Sequence, residues 1–269
     1  MSEERDIAIH PTAIVSPGAE IASGVSIGPY SIVGGAVQLG AGSVLESHVV
    51  LSGRIRIGEG NRFFPFSSAG LEPQDLKYRG EPSEVVIGDG NTIREHVTIH
   101  AGTEGGGMVT RIGDNNLLMA YSHVAHDCLL GSNIVLANGA TLAGHVTIDD
   151  SAIVGGLTAI HQFLRIGRLA MIGGMSGIVK DVPPFTMIAG GYRPGLAGLN
   201  VVGLRRAGFD SERIATFKQV YRLLFQRDMA QQERVAAAQD MAADDVDMVT
   251  MINFVVEAKR GVTQPRGDE

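Results

Sequence analysis

Every sixth residue is aliphatic over most of the first two thirds of this chain. From Ile9 the step of six meets Val15, Ile21, Ile27, Val33, Leu39, Leu45, Leu51, Ile57 and Phe63 without one polar residue. A short run follows at Ile87, Ile93 and Ile99, and a third extends from Ile112 through Val124, Leu142 and Ile160 to Ile178. A helix needs a period of 3.6 and an ordinary strand a period of two, so neither accounts for a step of six. Short strands joined by tight turns and coiled into a prism do. If three hexads close a turn, residues 18 apart stack at roughly the 4.8 Å spacing of paired strands. A second, smaller residue four places after each aliphatic (Ala13, Ala19, Val25, Ser31) also points inward. Composition agrees: aromatics are 5 % of the residues and tryptophan is absent, while 44 % are hydrophobic, so aliphatics must fill a narrow interior. Glycine, with 36 residues, often follows the aliphatic, as in Ile27-Gly28 and Leu39-Gly40. It is expected at corners where φ turns positive.

The fold class expected is therefore a parallel β-helix over residues 1–184, followed by a helical domain over 185–269. Two insertions interrupt the hexads, near 64–86 and 100–111, and insertions in such coils become loops on one face, often the binding face. The hexads stop at Val182-Pro183-Pro184. Beyond them Asp210, Ser211 and Glu212 can start a helix carrying Ile214, Phe217, Tyr221 and Leu224 at helical spacing. Another amphipathic stretch carries Val249, Ile252 and Val256. Arg205, Arg206, Arg213, Lys218, Arg222 and Arg227 outnumber Asp210, Glu212 and Asp228, a local basic surface in a chain of net charge −7. The overall charge argues against a nucleic-acid footprint spread over the surface. A single cysteine, Cys128, rules out an internal disulfide and fits a reducing compartment. The acidic start MSEERD does not read as a signal peptide, and no apolar run reaches the ~18 residues of a membrane span. The expected location is cytoplasmic.

Chemistry near neutral pH calls for histidine, and there are eight. The 18-residue step puts Val124, Leu142 and Ile160 on one face of successive rungs, which gathers His123, His126, His145 and His161 at one edge. Looping out the second insertion brings Ile99 under Val124, and His100 joins them. His10 and His48 receive no role, and His96 is read as structural. Two chemistries can use such an edge. One histidine can act as general base toward a hydroxyl in acyl transfer, or three can hold zinc and activate water, as in carbonic anhydrases built on the same kind of coil.

The segments QDLKYRGEP (74–82), NLLMAYSHVAHDC (116–128), TLAGHV (141–146), AIHQF (159–163), GGMSGIVKDVPP (173–184) and GLRRAGF (203–209) resemble the bacterial UDP-N-acetylglucosamine acyltransferases of lipid A biosynthesis. The resemblance covers nearly the whole chain. It implies a left-handed coil and a homotrimer with active sites between neighbouring subunits. It also implies transfer of a long 3-hydroxyacyl group from acyl carrier protein to the 3-hydroxyl of UDP-N-acetylglucosamine, with no cofactor and no metal. By matching motif, His126 is the general base, Asp127 its orienting partner and the Gly144 N–H the oxyanion donor. Gln74, Asp75 and Lys77 match sugar-nucleotide contacts; His100, His123, His145 and Gln162 match the binding wall, where spacing adds His161. Asn200 and Arg206 match residues that reach the uridine and phosphates from the neighbouring subunit, and Met171 and Gly174 the acyl groove. Val202 and Ala207 depart from the family pattern, as does the length of GGYRPGLAG around Tyr192. The three-histidine zinc lyase finds no support in the motif match. The related N-acyltransferase of the same pathway carries a separate N-terminal domain with no counterpart in this sequence.

Overall fold

The computed structural model describes residues 6–225 and 229–265. Its strands, mostly two residues long, form three sheets of eleven, nine and eight strands. Successive strands pass from sheet to sheet, so that the chain coils as a left-handed parallel β-helix of triangular section. The register is the 18-residue step: Ile27 pairs with Leu45 and Leu45 with Phe63, and above the insertions Leu118 pairs with Leu136 and Leu136 with Val154. One aliphatic per face fills the interior, and the hexad positions from Ile27 upward are buried.

The two insertions are shorter than their composition implies. Strands Ser68–Leu71 and Glu84–Ile87 reclaim both ends of the first, leaving 72–83 as the excursion. Ala69 holds the inward place between Leu51 and Ile99 where an aliphatic is expected, so its small size disguised a regular rung. Strands Thr98–His100 and Val109–Ile112 likewise confine the second excursion to 101–108. Both return the chain to register, with Ile87 above Ile57, Ile112 above Ile87 and Val124 above Ile99. A buried amide ladder spans these interrupted rungs. Asn61 Oδ1 accepts from the Asn91 backbone and amide, Asn91 Oδ1 from the Asn116 N–H, and Asn116 Oδ1 from the Ile134 N–H.

The glycines after the aliphatics serve stacking rather than positive φ. A Cβ at Gly28 would lie 2.7 Å from the Glu46 carbonyl oxygen, and one at Gly40 2.3 Å from that of Gly58. Left-handed backbone instead recurs at other corner positions. At one corner these are Gly24, Gly42, Gly60 and Gly90, then Asn115, Asn133, Ser151 and Leu169.

The first sheet runs past Pro184. Strand Thr186–Ile188 pairs parallel with Met171–Ile172 and antiparallel with Leu196–Leu199, so the helices begin only at Val201. They are α1 (Val201–Arg206), α2 (Ser211–Phe225), α3 (Gln231–Ala242) and α4 (Val246–Glu257). Asp210 accepts from the Arg213 N–H at the start of α2, whose Ile214, Phe217 and Leu224 are buried. On α4 the buried face is Met248, Met251, Ile252 and Phe254, while Val256 is exposed. Phe185, Phe209 and Phe217 pack ring to ring where the helices meet the coil. Arg213, expected on a basic docking surface, is instead a clamp between α2 and α4. It donates to Asp245 at 2.7 and 2.9 Å and to Asp247 at 2.8 Å, and stacks on Phe209. Arg205, Arg206, Lys218 and Arg222 remain exposed, and Arg227 and Asp228 lie outside the described residues. No helix among the described residues is long and apolar enough to cross a membrane.

Candidate active site

The corner between the second and third sheets carries residues 126–127, 144–145 and 162–163 on consecutive rungs, with Asp127, His145 and Phe163 all at positive φ. The Asp127 side chain is wholly buried there. Its Oδ1 accepts from the Thr103 N–H at 2.8 Å; its Oδ2 accepts from the Thr103 hydroxyl at 2.6 Å and from His126 Nδ1 at 2.8 Å. The Asp127 N–H donates to the Thr110 hydroxyl. The excursion at 101–108 is thus a cap over one carboxylate. Gly106 is pressed so close that a Cβ would fall 2.0 Å from Asp127 Cγ.

A carboxylate only accepts, so the bond fixes the proton of His126 on Nδ1 and leaves Nε2 with a free lone pair. His145 stands edge-on to His126 with ring centroids 5.0 Å apart, its Nδ1 3.9 Å from Asp127 Oδ2. Phe163 stacks on the other side of His145 at 4.3 Å. On the same rung as His126, His123 bonds the Thr98 hydroxyl at 2.7 Å and meets His100 edge to face at 4.9 Å, both partners one rung below. Burial, with the charges of His100 and His126, pushes the His123 imidazole down to about 4. Burial and His126 lower His100 as well, and its buried Nδ1 has no hydrogen-bond partner. Burial lowers His145 against the opposing pull of Asp127.

Gly144 lets the histidine edge close up. A Cβ there would sit 2.4 Å from His126 Cε1 and 2.6 Å from Nε2. Its N–H makes no hydrogen bond among the described residues, so a donor stands open beside the imidazole. The edge therefore presents a base with its tautomer fixed, an unused N–H and a wall of neutral imidazoles, which suits proton removal from a hydroxyl. The described residues that group metal-ligand atoms within 4.8 Å are His126, Asp127 and His145, two imidazoles and a carboxylate rather than three imidazoles. His126 Nδ1 and Asp127 are already spent on each other.

Known proteins resemble this chain in sequence and in fold. A family profile described as UDP N-acetylglucosamine O-acyltransferase, domain 2, matches residues 181–263, and one described as bacterial transferase hexapeptide (six repeats) matches 110–144. A protein of Anaeromyxobacter sp. (strain Fw109-5), named acyl-(acyl-carrier-protein)--UDP-N-acetylglucosamine O-acyltransferase, is 50 % identical over 258 residues, covering 96 % of this chain and 100 % of its own. The chain belongs to the UDP-N-acetylglucosamine O-acyltransferase family. The solved structure of LpxA from Acinetobacter baumannii superposes with a TM-score of 0.92 at 42 % identity, covering 95 % of this chain and 99 % of that one. The Francisella novicida UDP-N-acetylglucosamine acyltransferase gives 0.91 at 38 %, covering 96 % and 95 %.

Within this family member the expected site residues fall into three groups. His100, His123, His126, Asp127, Gly144 and His145 share the edge just described. Asp75 and Lys77 act electrostatically on His145, which places the first excursion toward it; the Lys77 N–H donates to Asp75, and Gln74 is exposed beside them. His161 and Gln162 sit one rung higher, joined by a bond from the ring to the Gln162 carbonyl. The second group is elsewhere: Met171 lies on the first sheet and Gly174 at the corner between the first and second sheets. One six-residue face, roughly 15–20 Å, separates that corner from His126. An open, mainly apolar hollow of about 490 Å³ lies just below Gly174, lined by Ala120, Tyr121, Gly139, Gly156 and Leu157 among others. Tyr192 packs over Gly177 at the top of the second sheet.

The third group is on α1. Asn200 caps this helix through the Gly203 N–H and donates to the Leu169 carbonyl, so its side chain is already in structural use. Arg206 and Val202 are exposed, and Ala207 ends the helix. No hydrogen bond or ion pair among the described residues joins α1 to the histidine edge. His48 and His96 belong to a ring stack, Tyr30-His48-Phe66-His96-Tyr121, along the corner shared with Gly174. Sequence reasoning missed Thr103, Gly106 and Thr110. The glycine triplet 105–107 inside an insertion was the available signal, since backbone packed on a side chain tolerates no Cβ.

Proposed function

We propose that this chain transfers a 3-hydroxyacyl group from acyl carrier protein to the 3-hydroxyl of UDP-N-acetylglucosamine, with His126 as general base. The observation that carries this reading is the His126–Asp127 pair, buried on one side and open at Nε2, beside the unused N–H of Gly144. His126 Nε2 takes the proton of the sugar hydroxyl as its oxygen bonds the thioester carbonyl carbon. The tetrahedral oxyanion meets the Gly144 N–H, and collapse breaks the carbon–sulfur bond. The departing thiolate recovers the proton from His126. Asp127 holds the ring and stabilises the imidazolium between these steps.

Gln74, Asp75, Lys77, His100, His123, His145, His161 and Gln162 bind the sugar nucleotide in this reading, and Met171 and Gly174 line the acyl groove. The two groups occupy different corners of one prism, and Asn200, bonded to the Leu169 carbonyl, and Arg206 make no bond to the histidine corner among the described residues. A homotrimer meets this separation by setting the acyl corner and α1 of one copy against the histidine corner of another. Lys218 and Arg222 offer a basic surface to the acidic carrier protein. The setting is the cytoplasm, where both substrates and a free Cys128 are at home.

The test is transfer by the purified protein from a panel of 3-hydroxyacyl carrier proteins to UDP-N-acetylglucosamine and its 3-amino analogue. Faster turnover of the hydroxyl acceptor with a long acyl donor is expected. His126→Ala should form the same oligomer and lose roughly 10² or more in kcat. Near-normal turnover in that variant would remove His126 from the mechanism.

A further inference from the structure

Two cations beside the histidine corner have no place in the reaction as described. Arg260, just beyond α4, crosses to the third rung of the corner. Its Nη1 lies 3.4 Å from both His161 Nδ1 and the Gln162 carbonyl oxygen, and its guanidinium lies 5.6 Å from the centre of the Phe163 ring. Lys259 stands next to it, and both are exposed. They line an open cavity of about 850 Å³ with Phe163, Arg165, Asp181 and Glu257. The acids of that cavity are already matched. Arg165 donates to Asp181 at 3.2 Å, lies 3.7 Å from Glu257, donates to the Phe254 carbonyl and stacks on the Phe254 ring. No acid lies within ion-pair distance of Lys259 or Arg260 among the described residues. The lining, with Arg165, Lys259 and Arg260 against Asp181 and Glu257, thus carries a net charge of +1, and Lys259 and Arg260 make no ion pair among the described residues, beside the half-exposed ring of Phe163.

We propose that Lys259 and Arg260, with Phe163 between them and the catalytic edge, receive a phosphate group of a substrate. This rests on the acyl-transfer reading, in which both substrates carry one: the diphosphate of the sugar nucleotide, and the phosphodiester that ties the acyl-pantetheine arm to its carrier protein. A guanidinium fork matches phosphate oxygens in charge and shape, and a neighbouring ammonium adds charge without geometric demand. The position suits a group that must sit near the reacting atoms without touching them. Arg260 lies against Phe163, Phe163 on His145, and His145 edge-on to His126, so two ring widths separate phosphate and base. The arrangement also gives the C-terminal segment a task. The bridge between Asp181 and Val262, with the bond from the Thr263 N–H to the Asp181 carbonyl, pins that segment to the coil and holds Arg260 in place.

The experiment uses the full-length protein and the variants Arg260→Gln, Arg260→Lys and Lys259→Gln. Steady-state rates are measured against UDP-N-acetylglucosamine, acyl carrier protein, and two truncated donors, acyl-phosphopantetheine and acyl-pantetheine. Inorganic pyrophosphate is titrated into each protein by calorimetry. Arg260→Gln should raise KM for one phosphate-bearing substrate roughly tenfold, with Arg260→Lys intermediate. A rise confined to UDP-N-acetylglucosamine assigns the site to the diphosphate. A rise for acyl-phosphopantetheine and none for acyl-pantetheine assigns it to the carrier arm. Unchanged KM values for every substrate, together with unchanged pyrophosphate binding, would overturn the proposal. A wild-type protein that transfers no acyl group refutes the functional reading instead, and pyrophosphate binding weakened by Arg260→Gln then still reports on the site.

Discussion

Asp127→Asn tests the site most directly, because the hydrogen-bond pattern around Asp127 dictates how the amide must sit. Three donors converge on the native carboxylate: the Thr103 N–H on Oδ1, and the Thr103 hydroxyl and His126 Nδ1 on Oδ2. An asparagine offers one acceptor oxygen and one NH₂. With nitrogen in the Oδ1 place, two N–H groups would face each other at 2.8 Å, and a backbone amide cannot become an acceptor. With nitrogen in the Oδ2 place, the Thr103 N–H still donates to the remaining oxygen, while the hydroxyl rotates and the imidazole shifts its proton, so the two contacts on the nitrogen survive in reversed polarity. The second orientation wins. It makes His126 Nδ1 the acceptor and moves the proton to Nε2, the atom that takes the substrate's proton in the proposed reaction. The fold is therefore expected to hold, with a stability loss of about 1–3 kcal/mol from charge-assisted bonds becoming neutral ones. Meanwhile kcat should fall by roughly 10² to 10⁴, the span between losing a general base and locking it in the wrong tautomer. Acyl transfer to UDP-N-acetylglucosamine, followed by chromatographic separation of the acylated product between pH 6 and 9, measures the rate; nitrogen chemical shifts of the His126 ring report the tautomer. Turnover within fivefold of wild type, or an Nδ1-protonated ring in the variant, would refute this account.

Thr103→Val keeps the N–H bond to Asp127 and deletes the hydroxyl bond, so kcat should drop about tenfold while Thr103→Ser restores it; equal rates for the valine and serine variants would exclude a role for the hydroxyl. His123 titrates near 4 when folded against roughly 6.5 when unfolded, so the unfolded chain takes up the proton first on acidification. Its contribution, about 3 kcal/mol at most, is present above pH 6.5 and lost by pH 4; urea midpoints should fall across that window, and less steeply in His123→Gln. Arg213→Ala should lower the melting temperature by removing the clamp on Asp245 and Asp247, a partly exposed contact of about 1–2 kcal/mol. Lys218→Glu with Arg222→Glu should raise KM for the acyl donor at low salt without changing the melting temperature, and an unchanged KM would place the carrier protein elsewhere.

Much of this was legible in the residues. The step of six is a covalent property of the chain, and only one stacking of short strands can bury an aliphatic at every sixth place, so the coil and its 18-residue rungs could be counted before any contact was seen. Placing His100 beside His123 required only that the second excursion return the chain to register. The start of the first excursion was hidden because Ser68 and Ala69 follow the rule of the coil without the look of it. Arg213 was misread because Asp245 and Asp247, the acids that claim it, lie more than thirty residues away.

Spacing alone gathered the histidines, but it could not rank them. The motif match singled out His126 and Asp127, and the structure adds that this carboxylate is buried by an excursion whose sequence, GTEGGG, looks like filler until it folds over Asp127. Likewise, nothing local marks Arg260 as a neighbour of His161; the C-terminal segment has to return to the coil first. Periodicity is read along the chain, and it determined the scaffold and the edge where chemistry gathers. Proton location, burial and charge compensation depend on groups far apart in sequence meeting within 3 Å or so, and those the tertiary structure decided.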